Sequence, residues 1–187
     1  NTLENMRMQC EIDGYYAIGD SLAALGDLFR YSIKWGSNEV PFRLEWDNLK
    51  NYISIMNMRY QEDLKCIMEI GEGVGDVMVP KMLLQPLVEN AIIHGIETGG
   101  KVSIRVYERE EDGGCWLEVS DNGAGMDEEQ LKRLRDGTTE MRMDHRSIGV
   151  ENVNKRIRLY YGEEFGLTIE SRLGEGTVIR FCIPGNS

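Results

Sequence analysis

An acidic residue followed by two glycines is the first feature of this sequence that could do chemistry. The segment Asp121-Asn122-Gly123-Ala124-Gly125-Met126 comes directly after an alternating apolar run that predicts a strand. A carboxylate at a strand end can accept the exocyclic amine of a purine, while glycines let the backbone approach the ring. The same six residues also suit an ordinary Asn-Gly turn, so by themselves they leave both interpretations open.

Polar side chains inside an otherwise apolar segment are the second feature. Residues 84–95 include Gln85, Glu89, Asn90 and His94. Burying such groups costs about 1 to 3 kcal/mol each when they are unpaired. The oxygen of Asn90 is a suitable hard ligand for Mg²⁺, and a helix-to-loop hydrogen bond is the alternative. His94 lies one turn further on and is either a contact to the same cleft or a structural group.

Two further segments have the chemistry of ligand contacts. Residues 147–153 open a helix after a long loop, and a helix N-terminus in that position is a ready anion site. Gly174-Glu175-Gly176-Thr177 is a tight turn whose threonine hydroxyl could reach the Asp121 carboxylate directly or through water, or simply close a hairpin. Basic residues deep inside the helix are interpreted as a solvated face: Lys155, Arg156 and Arg158.

Hydrophobic periodicity predicts the elements that must position these residues. A helical stub is followed by helices over 16–33 and about 46–60, a strand over 64–70, and a helix from Pro80 to Gly95. Two hairpins follow, with strands at 102–106 and 115–119 and at 167–171 and 177–183. Between them lie a loop over 121–146 and a helix over about 147–161. This order predicts an α+β fold in which a mixed sheet is covered by helices.

Composition excludes several classes of partner. A formal charge of -11 opposes nonspecific binding to nucleic acid or to an anionic membrane surface. No apolar run reaches the roughly 20 residues that cross a bilayer, so we expect no membrane segment here. The four cysteines are too widely spaced for a zinc site and are expected to be free, buried thiols.

Taken together and in order, these motifs resemble the GHKL (Bergerat-fold) ATP-binding domain. The asparagine motif matches at Glu89-Asn90 and the first glycine motif at residues 121–125, while the later ones match at Gly149 and at residues 174–177. The resemblance implies a Bergerat-type two-layer sandwich that binds ATP with Mg²⁺.

More narrowly, the chain resembles the LytS/YesM-type sensor histidine kinases over nearly its whole length. Residues 84–91 with His94-Gly95, and residues 149–153 with Arg156, carry this likeness. Asn1-Thr2-Leu3 resembles the close of the family's His-Phe-Leu-Tyr-Asn-Thr-Leu signature, whose histidine receives the phosphoryl group and would here lie just before Asn1.

The likeness implies a domain plan and a setting. Residues 1–62 would be part of the dimerisation and phosphotransfer helices, and residues 63–187 the catalytic domain, with a lid at about 126–146. The fragment would be the cytoplasmic part of a membrane-bound receptor that forms homodimers through its N-terminal helices and serves a response regulator.

The likeness also assigns roles to particular residues. Asp121 would hold adenine with support from Thr177, and Asn90 would hold Mg²⁺. Glu89 would orient water or help to deprotonate the acceptor, and a structural helix contact is the alternative. The remaining expected nucleotide contacts are His94, Gly123, Gly125, Met126, Ser147, Ile148, Gly149 and Val150.

Three departures from the family pattern define the alternatives. Ser147 stands where glycine is usual, Ile93 stands where a basic residue often follows the asparagine, and the lid carries Met141, Met143 and His145. The first two motivate a degenerate, non-catalytic dimerising module as a rival. A GHKL ATPase of the gyrase or Hsp90 kind, or a serine kinase on the same fold, is a second rival, which the helical hairpin argues against. An interaction domain with chance motifs is the third.

Overall fold

The computed structural model describes residues 2–33, 38–60, 64–71, 74–96, 101–109, 114–136 and 145–184. The helices are α1 (Thr2–Ile12), α2 (Tyr16–Ile33), α3 (Phe42–Tyr60), α4 (Gln85–Ile96), α5 (Glu128–Asp136) and α6 (His145–Tyr161). The strands are β1 (Glu39–Pro41), β2 (Lys65–Ile70), β3 (Met78–Pro80), β4 (Lys101–Arg109), β5 (Gly114–Asp121), β6 (Thr168–Arg172) and β7 (Gly176–Ile183).

Over these residues the larger sheet has five strands in the order β2-β4-β5-β7-β6. Strands β2 and β4 run parallel, and the other neighbours are antiparallel. Both predicted hairpins are therefore confirmed, as β4–β5 and β6–β7. A mixed sheet with helices packed on it confirms the predicted α+β fold class.

Helices α4 and α6 form the layer that covers this sheet. Helix α4 contacts β4 and β5 and packs beside α6. The following side chains of this core are at most 3% exposed: Leu87, Val88, Ala91, Ile92, Ile104, Leu117, Val119, Val153, Ile157 and Phe181. Because burying one such larger side chain contributes about 1.5–3 kcal/mol, α4 is held firmly against the sheet end that carries Asp121.

Helix α3 packs into the same core. Its buried residues recur at three- and four-residue steps, as the inward face of a helix requires: Phe42, Glu45, Trp46, Leu49, Tyr52 and Ile53, together with Asn48. The apolar ones join the cluster that contains the sheet and α4. The predicted domain division at residue 62 stays a prediction, and the core continues from α3 into the sheet.

The start of α4 corrects one expectation. Pro80 was expected in the first turn of this helix, but it lies in β3, paired with Glu39 of β1. Met82 follows with φ of 60°, a left-handed conformation that an α-helix does not contain. The proline suited to the first helical turn is instead Pro86, whose missing N–H would have no partner there in any case.

A second correction concerns the segment expected as a loop over 121–146. Residues Glu128–Asp136 form α5, which begins with a reciprocal cap. Asp127 Oδ1 accepts the N–H of Gln130 at 2.8 Å, and Gln130 Oε1 accepts the N–H of Asp127 at 3.0 Å. The spacing Asp-x-x-Gln is a capping-box pattern that was readable in the sequence. The expected lid residues Met141 and Met143 lie outside the described residues.

The cysteines differ partly from expectation. Cys115 is buried, whereas Cys10, Cys66 and Cys182 are half-buried. Burial raises the pKa of the Cys66 thiol to about 11, so it is not a reactive thiolate at neutral pH. In the described part of the chain, no group of three or more His, Cys, Asp or Glu side chains is placed to hold a metal ion.

Candidate functional site

Asp121 is the last residue of β5 and lies between two neighbouring strands. It pairs with Val102 of β4 on one side and with Thr177 of β7 on the other. Its Oδ1 accepts the backbone N–H of Gly123 at 2.8 Å. A carboxylate has about four lone-pair sites, so this bond leaves it capacity to accept an amine from a ligand.

The surroundings of Asp121 shift its titration. Burial raises the pKa of Asp121, while the amides of Gly123 and Thr177 and the nearby His94 act in the opposite direction. The pKa of Asp121 is raised overall, which means that keeping this carboxylate ionised costs free energy in the folded protein. An ionised acceptor that is kept at such a cost is typical of a functional position.

Residue 123 packs so closely against the end of α4 that only glycine fits there. A Cβ on this residue would lie 2.5 Å from the carbonyl oxygen of His94 and 2.7 Å from Asp121 Oδ1. Gly95, near the end of α4, is correspondingly close to Asp121, since a Cβ there would lie 3.8 Å from the Asp121 Cβ. The glycine loop, the carboxylate and the end of α4 therefore meet at one point.

The second glycine of the motif packs against the other hairpin. Gly125 has φ of 65°, and a Cβ on it would lie 1.9 Å from the carbonyl oxygen of Arg172. The N–H of Gly174 donates to the carbonyl of Ala124 at 2.7 Å. Both glycines of the loop thus have a protein-packing reason to be glycine, beyond the expected approach to a ligand.

Ser171, which the sequence analysis did not single out, joins these loops. Its Oγ accepts the N–H of Met126 at 2.8 Å, donates to the carbonyl of Gly176 at 2.9 Å, and lies 3.0 Å from Thr177 Oγ1. Thr177 is 7% exposed, so its hydroxyl is held beside the Asp121 strand by Ser171. The amide of Met126 is used within the protein, so it is not available to a ligand, and the Met126 side chain is half-buried.

We expect Ser171→Ala to lower the free energy of unfolding by about 1–2 kcal/mol, because two backbone groups lose their partner in a part-buried place. Urea unfolding followed by circular dichroism measures this. Ser32→Ala is the control, since the exposed Ser32 hydroxyl donates only to the carbonyl of Leu28 in its own helix. Equal losses in the two variants would contradict a joining role for Ser171.

The polar residues of α4 divide between its faces. Asn90 and His94 are half-buried and one turn apart, whereas Glu89 is exposed. The pKa of Tyr52 in α3 is raised by burial first and then by Glu89, so the Glu89 carboxylate is close to α3. Gln85 accepts a hydrogen bond from Asn48 Nδ2 at 3.2 Å, which gives that residue a structural role.

The second turn of α6 lies beside the first turn of α4. A Cβ on Gly149 would be 3.7 Å from the Cβ of Pro86, an ordinary contact distance. Val150 is 3% exposed and its side chain packs in the core. Ser147 and Ile148 belong to the first turn of α6 by their backbone. Because α6 begins at His145, the amides of Gly149 and Val150 are bonded within the helix, and the open amides that a ligand would meet are those of the first turn.

Helix α4 therefore spans the predicted site from end to end. Its first turn contacts Gly149, and its last turn contacts Asp121 and Gly123. With a rise of about 1.5 Å per residue, Asn90 lies about 6 Å along the helix from Pro86 and about 7.5 Å from Gly95. The sequence-predicted residues are thus arranged along one helix, with the Asp121 carboxylate at one end, Gly149 of α6 at the other and the Asn90 amide between them.

The basic residues of α6 correct a further expectation. Arg156 was expected on a solvated face, but it is half-buried and its guanidinium donates to the carbonyls of Lys81 and Met82. Lys155 pairs with Glu151 at 2.5 Å, and Arg158 lies 3.7 Å from a carboxylate oxygen of Glu163. Lys155 and Arg158 are exposed, as expected. Arg156 is a structural clamp on the segment that precedes α4.

The donor set fits a magnesium nucleotide. Asp121 offers an anionic acceptor beside the buried hydroxyl of Thr177, which suits an aromatic amine. Asn90 offers an amide oxygen of the kind that Mg²⁺ accepts when phosphates and water complete its shell. The first turn of α6 offers backbone N–H groups to phosphate oxygens.

Comparison with known proteins finds histidine kinases. A family model described as histidine kinase-, DNA gyrase B-, and HSP90-like ATPase matches residues 75–187, and a histidine kinase model matches residues 1–64. The chain is 34% identical over 185 residues to the sensor histidine kinase YesM of Bacillus subtilis (strain 168), covering 98% of the chain and 30% of YesM. It is 30% identical over 161 residues to the sensor protein kinase HptS of Staphylococcus aureus (strain USA300), covering 86% of the chain and 31% of HptS.

Solved structures support the fold. The histidine kinase domain of the Erythrobacter litoralis blue-light activated histidine kinase superposes with a TM-score of 0.55 at 17% identity, covering 98% of this chain and 82% of that one. The catalytic domain of histidine kinase ThkA gives a TM-score of 0.59 at 20% identity, covering 79% and 96%. The chain spans about a third of the length of the two curated relatives described above.

Proposed function

Because the chain belongs to the family of histidine kinase-, DNA gyrase B- and HSP90-like ATPases, and within it to the sensor histidine kinases, we propose that it is the catalytic core that transfers the γ-phosphoryl group of ATP to a histidine. A response regulator would then receive the group. The chain's two histidines, His94 and His145, both lie outside the segment that matches the histidine kinase model. The acceptor imidazole in this proposal therefore comes from elsewhere.

The observation that supports this proposal best is the arrangement along α4. The base would bind at Asp121, with Thr177 beside it, and the phosphates would meet the N-terminal part of α6, at the first-turn residues Ser147 and Ile148 and the following Gly149 and Val150. Asn90 lies between these ends, where a metal on the phosphates would need its ligand. Phosphoryl transfer depends mainly on such positioning and on charge neutralisation, so the site needs no covalent nucleophile of its own.

The remaining residues of α4 have supporting roles in the proposal. Bound Mg²⁺ would neutralise charge on the phosphates, and Asn90 would hold it through its amide oxygen. His94 lies beside Asp121 and would contact the nucleotide from the end of α4. Glu89 is exposed on the side of α4 that is close to α3, from which an acceptor group would approach, and would orient water or accept the acceptor's proton.

The proposal extends to partners. Helices α1 and α2 and the connection between them expose a set of large apolar side chains, which favours a homodimer formed through this region: Met6, Met8, Ile12, Tyr15, Tyr16, Ile18, Phe29 and Ile33. Among the described residues no helix is both long enough and apolar enough to cross a membrane. The proposed membrane-bound receptor, with this chain on the cytoplasmic side, rests on the family likeness alone.

The metal role is tested by Asn90→Ala. We expect Mg²⁺ to tighten ADP binding to the unmutated chain, and we expect this gain, about tenfold or more, to be lost in the variant because the metal loses its protein ligand. Calorimetric titrations with ADP in the presence and absence of Mg²⁺ measure it. Asn57→Ala, at an exposed position of α3, is the control. If both variants retain the metal effect, Asn90 is not the ligand.

Catalysis is tested by supplying the acceptor. Placing His-Phe-Leu-Tyr before Asn1 restores the family signature, and the same extension with glutamine in place of histidine is its control. The proposal predicts acid-labile, alkali-stable label from γ-labelled ATP in the histidine version alone. Release of inorganic phosphate without label in either version would favour an ATPase. A folded chain that binds no Mg·ADP would favour the degenerate dimerising module.

A further inference from the structure

A buried carboxylate on α3 is the strongest polar feature outside the nucleotide site. Glu45 is 1% exposed and stands on the inward face of its helix between Phe42 and Trp46. Burying a carboxylate is costly unless several hydrogen bonds are made to it. The groups that donate hydrogen bonds to Glu45 therefore indicate its role.

The partners of Glu45 lie at the start of α4. Its Oε1 accepts the N–H of Met82 at 2.6 Å, and its Oε2 accepts those of Leu83 at 2.9 Å and Leu84 at 3.3 Å. The hydroxyl of Tyr31 in α2 donates to the same carboxylate. Burial, followed by this carboxylate, raises the pKa of Tyr31, which keeps its hydroxyl protonated as a donor.

This arrangement replaces an ordinary helix cap. The position just before α4 is Leu84, whose side chain has no acceptor, whereas a helix usually receives its cap from Ser, Thr, Asp or Asn at that position. The negative charge that favours a helix N-terminus is supplied here from another helix, 39 residues upstream of Leu84. The conformation of the α4 entry thus depends on where α3 lies.

Other contacts hold the same entry segment, residues 81–84. Arg156 of α6 donates to the carbonyls of Lys81 and Met82. Strand β1, which leads into α3, pairs with β3, which leads into this segment. The Lys81 ammonium stands 4.8 Å from the centre of the Tyr31 ring, at cation–π distance. Residues from α2, α3 and α6 therefore converge on the entry of the helix that carries Asn90.

We propose that Glu45 is a positioning residue that couples the α2–α3 helices to nucleotide binding by holding the entry of α4. The inference rests on the proposed function, since it concerns the nucleotide site of that proposal. A helix moves largely as a rigid unit, so a shift at Leu84 is carried to Asn90, about 9 Å along the axis. A change in the packing of α2 against α3 would alter the Tyr31–Glu45 contact, and through it the place of Asn90.

The test compares Glu45→Gln with Tyr31→Phe in this chain, at a temperature where circular dichroism shows each variant to be folded. The glutamine keeps the shape but offers one acceptor oxygen in place of two, and the phenylalanine removes only the hydroxyl. Asp47→Asn is the matched control, because Asp47 is an exposed carboxylate on the same helix, 3.1 Å from the Lys50 ammonium. The readouts are calorimetric affinity for Mg·ADP and the backbone amide NMR shifts of Asn90 and Gly95.

We expect Glu45→Gln to weaken Mg·ADP binding about tenfold, Tyr31→Phe to weaken it less, and both to move the Asn90 and Gly95 signals. Asp47→Asn should change neither readout. Unchanged affinity and unchanged signals in a folded Glu45→Gln variant would overturn the coupling and leave the proposed function standing. Failure of the unmutated, folded chain to bind Mg·ADP would overturn the proposed function, and the inference with it.

Discussion

Asp121→Asn is expected to weaken ADP binding by about 100-fold while the chain remains folded. The asparagine oxygen can still accept the N–H of Gly123, which Asp121 Oδ1 accepts at 2.8 Å. Its other terminal group is an NH₂ donor, which would oppose an adenine amine where the carboxylate accepts it. Calorimetry with ADP measures the loss, and urea unfolding shows whether the fold is retained.

The effect of Asp121→Asn on the free energy of unfolding shows whether the carboxylate serves mainly ligand binding or mainly folding. Burial raises the pKa of Asp121 in the folded chain, so its ionised form opposes folding at neutral pH, and its contribution to stability improves as pH falls. Asp121→Asn removes that buried charge and should cost little stability at neutral pH. A large fall in the free energy of unfolding would instead mean that the carboxylate is mainly structural.

The same pKa shift predicts the pH dependence of binding. An acceptor for an amine must be ionised, and a raised pKa means that Asp121 takes up its proton at a higher pH than an ordinary aspartate. ADP affinity should therefore fall on mild acidification, and Asp121→Asn should show no such fall. Asp76→Asn, at a highly exposed carboxylate that pairs with Arg43, is the control for general charge effects and should follow the unmutated chain.

Gly125→Ala is expected to have the largest effect on stability, a loss of about 4 kcal/mol. The new Cβ would lie 1.9 Å from the Arg172 carbonyl oxygen and 3.1 Å from that of Gly176, at a residue with φ of 65°. Backbone must move to admit it, and the loop that carries Asp121's partner Gly123 would move with it. Urea unfolding measures the loss, and ADP binding should fail together with it.

Gly174→Ala is the matched control for this prediction. Gly174 also has positive φ, 78°, but a Cβ on it would meet nothing within 4 Å. Its substitution should cost only the left-handed strain, about 1 kcal/mol. If the two alanine variants lose the same stability, the close approach of Gly125 to the β6–β7 hairpin is not what requires glycine there.

Local pattern was sufficient for much of the fold. The alternating runs predicted both hairpins, and the three- and four-residue steps predicted α2 and α3, because a side chain's burial along one element depends on the period of that element. The capping box of α5 is also a local pattern, formed by Asp127 and Gln130, although the sequence prediction of a loop missed it. The family likeness also rested on local information, because each of its motifs is a short run of neighbouring residues and the motifs follow one another in a fixed order.

The site residues that were missed are those whose partners are distant in sequence. Ser171 meets Met126 across 45 residues, and Arg156 meets the carbonyl of Met82 across 74. Glu45 left one readable sign, a carboxylate at a position of the apolar stripe of α3, but nothing local says which amides it binds. The start of α4 was wrong for the same reason, since β1 pairing holds Pro80 in a strand.

The sequence by itself therefore determined most of the elements, the family, and the residue types from which a nucleotide site could be built. Only the tertiary structure decided that Asp121, Asn90 and Gly149 are arranged along one helix, and that α3 supplies the cap of that helix. The physical reason is that periodicity and turn chemistry act between near neighbours in the chain. A buried carboxylate, by contrast, takes whichever donors the completed core brings within about 3 Å of it.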